Sequence, residues 1–211
     1  MPLEHVIFAV DDDPRMREAL SDLLSSMDFH IIVCCSAAEY LQLPKPDLPT
    51  CLILDVKLPD IDGFELQARL SDQGAPSIVF ITGYGDIPSS VRAIKAGAVD
   101  FLPKPFNRDQ LLGAVREALT RDTRLRATRA ELAMLRHRFS LLTPRESEVV
   151  PWLVAGYLNK QAAAELGISE VTLQIHRGQI MRKMQAGSLA ELVRMASKLE
   201  IIFTSKPKVF S

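Results

Sequence analysis

The sequence predicts a doubly wound α/β domain with a five-stranded parallel sheet, joined by a long helix to a second, all-α domain. Three observations carry that prediction. Five short apolar runs without alternation recur between amphipathic stretches in the first half, as expected of strands covered on both faces by crossover helices. The second half has no such series and reads as short helices separated by Gly-containing turns. The charge divides between the same halves: residues 1–120 hold 10 Lys and Arg against 18 Asp and Glu, whereas residues 121–211 hold 15 against 8. An acidic half followed by a basic half points to two domains, the second facing a polyanion.

Taken in order, Val6–Val10 is the first strand, and Asp11-Asp12-Asp13 leads to Pro14, a residue suited to the first helical position. Met16, Leu20, Leu23, Leu24 and Met27 give that helix its apolar face. Ile31–Cys35 is the second strand and Ala37–Leu41 a short helix. A loop with Pro44, Pro46 and Pro49 leads to the third strand, Cys51–Asp55, after which Lys57-Leu58-Pro59-Asp60 forces a loop and Asp62-Gly63-Phe64 opens a helix. Ser77–Ile81 is the fourth strand, followed by a Gly-containing loop over 82–86 and a helix from Pro88 to Ala96 that stops at Gly97. Val99–Leu102 is the fifth strand, ahead of Pro103-Lys104-Pro105.

Composition narrows the class. With 211 residues, of which 47% are hydrophobic, the chain can bury a core in one large or two modest domains. No apolar run approaches the roughly 18 residues of a membrane span, and the first residues lack the basic and apolar regions of a signal peptide. Cys34, Cys35 and Cys51 are odd in number and form no CxxC, which argues against a disulfide framework or zinc site and for a reducing cytoplasm.

Open α/β sheets place their chemistry at the carboxyl ends of the strands. Four of the five strands here deliver polar groups to that edge: Asp11 and Asp12, Asp55, Thr82, and Lys104. Three crowded carboxylates repel one another unless a cation sits between them, and a small set of hard oxygen ligands suits Mg²⁺. An ammonium and a hydroxyl then offer donors to phosphoryl oxygens, with Asp55 the natural nucleophile.

These residues also carry a resemblance. Val10-Asp11-Asp12-Asp13, Leu54-Asp55-Val56-Lys57-Leu58-Pro59-Asp60-Ile61-Asp62-Gly63, Ile81-Thr82-Gly83 and Lys104-Pro105-Phe106 resemble the flavodoxin-like receiver domain of bacterial two-component response regulators, over about residues 4–120. The resemblance implies that Asp55 accepts a phosphoryl group from a histidine kinase, and that Asp11, Asp12, Asp55 and the backbone carbonyl of Lys57 hold Mg²⁺. It further implies that Thr82 is the switch hydroxyl, Phe101 the aromatic that turns inward, and Lys104 the counter-ion of the phosphate. A cis Lys104–Pro105 bond is expected on the same ground. Asp13 reads as a solvated extension of the acidic run.

From Asn107 the pattern is helical up to about Leu141. Leu125, Thr128, Leu132, Leu135, Phe139 and Leu142 fall at alternating spacings of 3 and 4, a short heptad seam. Such a seam either packs on its own chain or pairs with a second protomer. Thr143-Pro144-Arg145-Glu146 is a capping box opening the next helix. Asn159 caps a short helix, Ser169 caps a third that runs to about Met184, and Ser188 with Glu191 forms a further capping box. Helix, Gly-containing turn and longer helix in a basic domain reads as helix-turn-helix.

Leu142-Thr143-Pro144-Arg145-Glu146, Gly156-x-x-Asn159-Lys160, Leu166-Gly167-Ile168-Ser169 and Val171-Thr172-Leu173-x-x-His176 resemble the LuxR/NarL-type effector domain, over about residues 139–200. With the receiver in front, the chain resembles a FixJ-like regulator: receiver 1–120, helical linker 121–140, DNA-binding domain 141–200, and a tail of unassigned role to 211. Gln174, where many relatives are basic, and Gly178, where a longer side chain is expected, depart from the family pattern.

In the helix opened by Ser169, Leu173, Ile180 and Met184 make a core stripe, whereas Val171, Gln174, Ile175 and Gly178 form another face. Val171 and Ile175 suit thymine methyl groups and Gln174 an adenine. Lys160, Thr172, Arg177, Arg182 and Lys183 are expected on phosphates. The expected function is a cytoplasmic transcription regulator that homodimerises on phosphorylation and binds promoter DNA, with RNA polymerase as a further partner. An aspartyl-phosphate phosphohydrolase is disfavoured: such enzymes carry a second Asp two positions after the nucleophile, and here Lys57 stands there. No turnover of an external substrate is expected.

Overall fold

Parallel strands alternating with helices build a five-stranded sheet in the order β2-β1-β3-β4-β5. The computed structural model describes residues 4–71, 75–83 and 87–201. Residues 84–86 of the expected loop and the tail beyond 201 lie outside the described residues. The first half comprises β1 (Val6–Val10), α1 (Pro14–Ser25), β2 (Ile31–Cys34), α2 (Ala37–Gln42), β3 (Thr50–Asp55), α3 (Gly63–Ser71), β4 (Ser77–Thr82), α4 (Ile87–Lys95) and β5 (Asp100–Pro103). Then come α5 (Arg108–Ser140), α6 (Pro144–Val154), α7 (Asn159–Glu165), α8 (Glu170–Met184) and α9 (Leu189–Lys198). Two compact units result, Met1–Ala127 and Thr128–Ser211.

The apolar runs are continuous because the sheet is covered twice. Phe8, Val10, Leu52, Leu54, Ile78 and Phe80 face one core with Tyr40, Phe64, Leu66 and Ala93. Their neighbours Ile7, Ala9, Cys51, Ile53, Val79 and Ile81 face another with Leu20, Leu24, Leu111, Val115 and Ala118. The strand period of two sorts each run between these layers. Every residue of β1, β3 and β4 is buried, whereas Val33 on the edge strand β2 is exposed.

Asp13 is more than a solvated extension of the acidic run: its carboxylate accepts from the Arg15 amide at 2.9 Å and caps α1. Gly97 ends α4 with φ at 94°, in the left-handed region where a side chain is disfavoured. A buried carboxylate on α5, Asp122, accepts from the Thr50 amide at 2.9 Å and from Arg126 Nε at 2.7 Å, and Arg126 also reaches Asp47 at 2.7 Å. That cluster ties α5 to the start of β3, the strand that ends on Asp55.

The second unit packs Leu142, Val149, Val150, Leu153, Ala162, Ala163, Leu173, Ile180, Met184 and Leu192 into one core. The Thr143–Glu146 capping box forms as expected, and Ser169 Oγ accepts from the Thr172 amide at 3.0 Å. Around Ser188 the box is displaced by one residue: Glu191 receives the Gly187 amide at 2.8 Å. Asn159 does not cap α7. It is the first helical residue, the Leu158 amide is met by Gln161 at 3.2 Å, and the Asn159 side-chain Oδ1 accepts from Arg177 Nη1 at 3.4 Å. The heptad seam is divided: Leu135 and Leu142 are buried and Phe139 packs on the core of this unit, whereas Leu125 and Thr128 are exposed. Its last turns therefore pack on their own chain.

Candidate functional site

The order β2-β1-β3 makes the chain turn one way from β1 to β2 and the other way from β3 onward, which opens a crevice at the carboxyl ends of β1 and β3. Val10 pairs with Leu54, so Asp11 and Asp55 leave their strands side by side. Asp55 is in register with Ile81 and Thr82 with Pro103, which sets Thr82 and Lys104 along the same edge. The Lys104 amide donates to the Thr82 carbonyl at 2.7 Å, and the Lys104–Pro105 bond is cis, as expected.

The side chains converge. Lys104 Nζ lies 2.6 Å from Asp11 Oδ2 and 2.7 Å from Asp55 Oδ2, bridging the two carboxylates. The other oxygen of Asp55 accepts from the Lys57 amide at 3.2 Å. Asp11, Asp55 and Thr82 are buried, while Asp12 is exposed at the mouth. Oxygens of Asp11, Asp12 and Asp55 all lie within 4.8 Å of one another. One ammonium against three carboxylates leaves excess negative charge beside open solvent, and a hard cation with oxygen ligands fits that deficit. Phe101, half-buried, packs beside Phe80 with ring centroids 6.3 Å apart.

Electrostatics follow from this crowding. Burial pushes the Asp11 carboxyl up, and hydrogen bonds from Lys104 and the Asp13 amide recover only part of the shift. Burial works against the charge on Lys104, but the Asp11 and Asp55 carboxylates outweigh it and hold its pKa above the ordinary lysine value. The charged form of Lys104 is thereby favoured beside Asp55.

Two contributors were not legible in the sequence. Arg17 Nη1 donates to the carbonyls of Asp11 at 2.8 Å and Asp12 at 2.9 Å. Asp60 in the β3–α3 loop accepts from the Ala37 and Ala38 amides at 3.3 and 2.7 Å, tying that loop to the start of α2. Helical spacing could have placed Arg17 near the loop; nothing in the sequence pairs Asp60 with α2.

On α8, Leu173, Ile180 and Met184 are buried and Val171 and Ile175 are 67% and 60% exposed, beside exposed Gln174 and Gly178. Lys160 and Arg182 are exposed, Arg177 leans on Asn159 at 3.4 Å, and Thr172 shares a 2.8 Å hydrogen bond with Ser169. Lys183 is paired within its own unit. It binds Glu146 at 2.6 Å, because the carboxylate of the capping box is buried and needs a counter-charge.

Comparison with known proteins matches both halves. Residues 7–116 match the family model of the response regulator receiver domain, and residues 140–196 that of bacterial regulatory proteins of the luxR family. Nodulation protein W of Bradyrhizobium diazoefficiens is 46% identical over 197 residues, 93% of this chain and 87% of that protein. The structure of the response regulator StyR aligns with a TM-score of 0.79 at 43% identity, covering 92% of this chain and 99% of that one. Full-length FixJ from B. japonicum aligns with a TM-score of 0.54 at 38% identity, covering 93% and 98%.

Proposed function

Because the chain belongs to the two-component response regulators that join a receiver to a LuxR-type DNA-binding domain and act on transcription, we propose that Asp55 is its phosphoacceptor and that phosphorylation there controls DNA binding. The observation that carries this reading is the Lys104 ammonium bridging Asp11 and Asp55 at a strand edge that also presents Thr82.

A carboxylate oxygen of Asp55 attacks the phosphorus of a phosphohistidine on a histidine kinase. The N–P bond breaks, and the imidazole leaves with the electron pair and takes up a proton. Mg²⁺, held by Asp11, Asp12, Asp55 and the Lys57 carbonyl, would supply charge neutralisation for the phosphoryl oxygens. Lys104 exchanges its contact with the Asp55 carboxylate for a phosphoryl oxygen, and the Thr82 hydroxyl donates to another. Phe101 then turns inward, and the neighbouring face of α4, with Val91 and Ile94 44% and 47% exposed, becomes the homodimer surface.

The reading extends to the domain assignment: receiver 1–120, linker 121–140, DNA-binding domain 141–200. Dimerisation pairs two α8 helices on promoter DNA, where RNA polymerase would meet them. Gln174 and Ile175 read bases, and Lys160, Thr172, Arg177 and Arg182 lie along phosphates; Lys183 leaves that set. The protein is a regulator without external substrate turnover. Its free cysteines suit the cytoplasm, and among the described residues no helix is long and apolar enough to cross a membrane.

Intact-mass measurement with Mg²⁺ and a small phosphodonor tests the assignment. The wild type should gain one phosphoryl group and Asp55→Asn none. An undiminished yield in Asp55→Asn would refute it.

A further inference from the structure

Asp11 and Asp12 share one short loop, and their backbone carbonyls turn toward the same side chain. Arg17, on the first turn of α1, donates from Nη1 to Asp11 O at 2.8 Å and Asp12 O at 2.9 Å. The rest of the loop is held by other groups. The Asp11 amide donates to Cys34 O at 3.2 Å, the Asp13 amide to Asp11 Oδ1 at 2.9 Å, and the Asp13 carboxylate caps α1. The Asp11 carboxylate has Lys104 as a further anchor, but the Asp12 carboxylate is exposed and its direction rests on the backbone that carries it. Arg17 thus holds the two successive peptide groups that aim Asp12 at the crevice. A guanidinium suits this task because it is always protonated and rigidly planar.

We infer that Arg17 is a positioning residue for divalent-cation binding at Asp11, Asp12 and Asp55, acting through the two carbonyls and not through contact with the cation. The inference rests on the cation-binding reading above. Positioning and charge predict opposite signs. As a positive charge near a cation site, Arg17 would weaken binding, so its removal on charge alone should tighten it. As the clamp on the loop, its removal should loosen binding, as loss of outer-shell support does elsewhere.

Free Mn²⁺, a probe standing in for Mg²⁺, can be counted by electron paramagnetic resonance during titration of the full chain. Circular dichroism at the same temperature checks that each variant is folded. The dissociation constant should rise about 10-fold in Arg17→Ala. Arg17→Lys, which keeps the charge and one reach toward the carbonyls, should restore part of the loss. A constant in Arg17→Ala equal to or below the wild-type value overturns the inference. A wild type that holds no Mn²⁺ overturns the cation reading itself, so the two failures are distinct.

Discussion

At the residue scale, the same ion-pair chemistry serves two purposes in this chain. Lys104 is held beside Asp55, where on the proposed reading it meets incoming negative charge, whereas Lys183 neutralises the capping-box carboxylate of Glu146. Burial opposes ionisation of Glu146, but Lys183 and the Thr143 amide outweigh it and hold its pKa below the ordinary 4.5. A depressed folded-state pKa adds stability that is present above the unfolded value and lost as pH falls through the folded one. Wild-type protein should therefore lose thermal stability more steeply below pH 4.5 than Glu146→Gln; parallel melting curves in both would refute this. Lys183→Ala leaves a buried carboxylate without its cation and should cost about 1–3 kcal/mol of stability in the second unit. The salt dependence of DNA binding should stay unchanged, which separates this role from the phosphate contact suggested by its sequence position. Gln174 is exposed between Val171 and Ile175, so Gln174→Ala should cost ~1–3 kcal/mol at one base position and relax preference there. Equal losses on cognate and scrambled DNA would remove Gln174 from the reading face.

At the scale of elements, the period of the apolar residues carried most of the information. Unbroken runs announced β1, β3 and β4, and the observed bounds differ from the expected ones by a residue at most, because burial on both faces leaves no alternation to misread. Local chemistry was legible where a cap closes on its own helix, as at Thr143 and Ser169. It misled at Asn159, where Arg177 from the next helix competes for the side chain. Asp60 on the α2 amides joins segments 22 and 23 residues apart, and hydropathy carries no trace of that pairing. Arg17, five and six residues from the carbonyls it holds, was within reach of helical spacing but not of hydropathy. Gly63 shows how closely α3 approaches the site. A Cβ there would lie 2.5 Å from the Asp55 carbonyl oxygen, a backbone atom that cannot swing away. Gly63→Ala should push α3 off the end of β3, lowering both the thermal midpoint and the phosphorylation rate; an unchanged rate would mean that the Asp55 backbone is more tolerant than its packing implies.

At the scale of the whole molecule, an acidic receiver is joined to a basic helical unit of the luxR family, and on the proposed reading the first carries the phosphoryl chemistry and the second the DNA-reading face. Phosphorylation couples them if it favours a dimer that presents two α8 helices together. Sedimentation should show a monomer-to-dimer shift on phosphorylation, and a persistent monomer whose DNA affinity nevertheless rises would replace dimerisation by relief of masking. The most direct test of the account is DNA affinity itself, measured by fluorescence titration on an operator selected from genomic fragments, with and without phosphodonor, in wild type and Asp55→Asn. Coupling of the usual size predicts a gain of roughly 5- to 150-fold in the wild type and none in Asp55→Asn. Equal affinity with and without phosphodonor in the wild type, or an equal gain in Asp55→Asn, would contradict it.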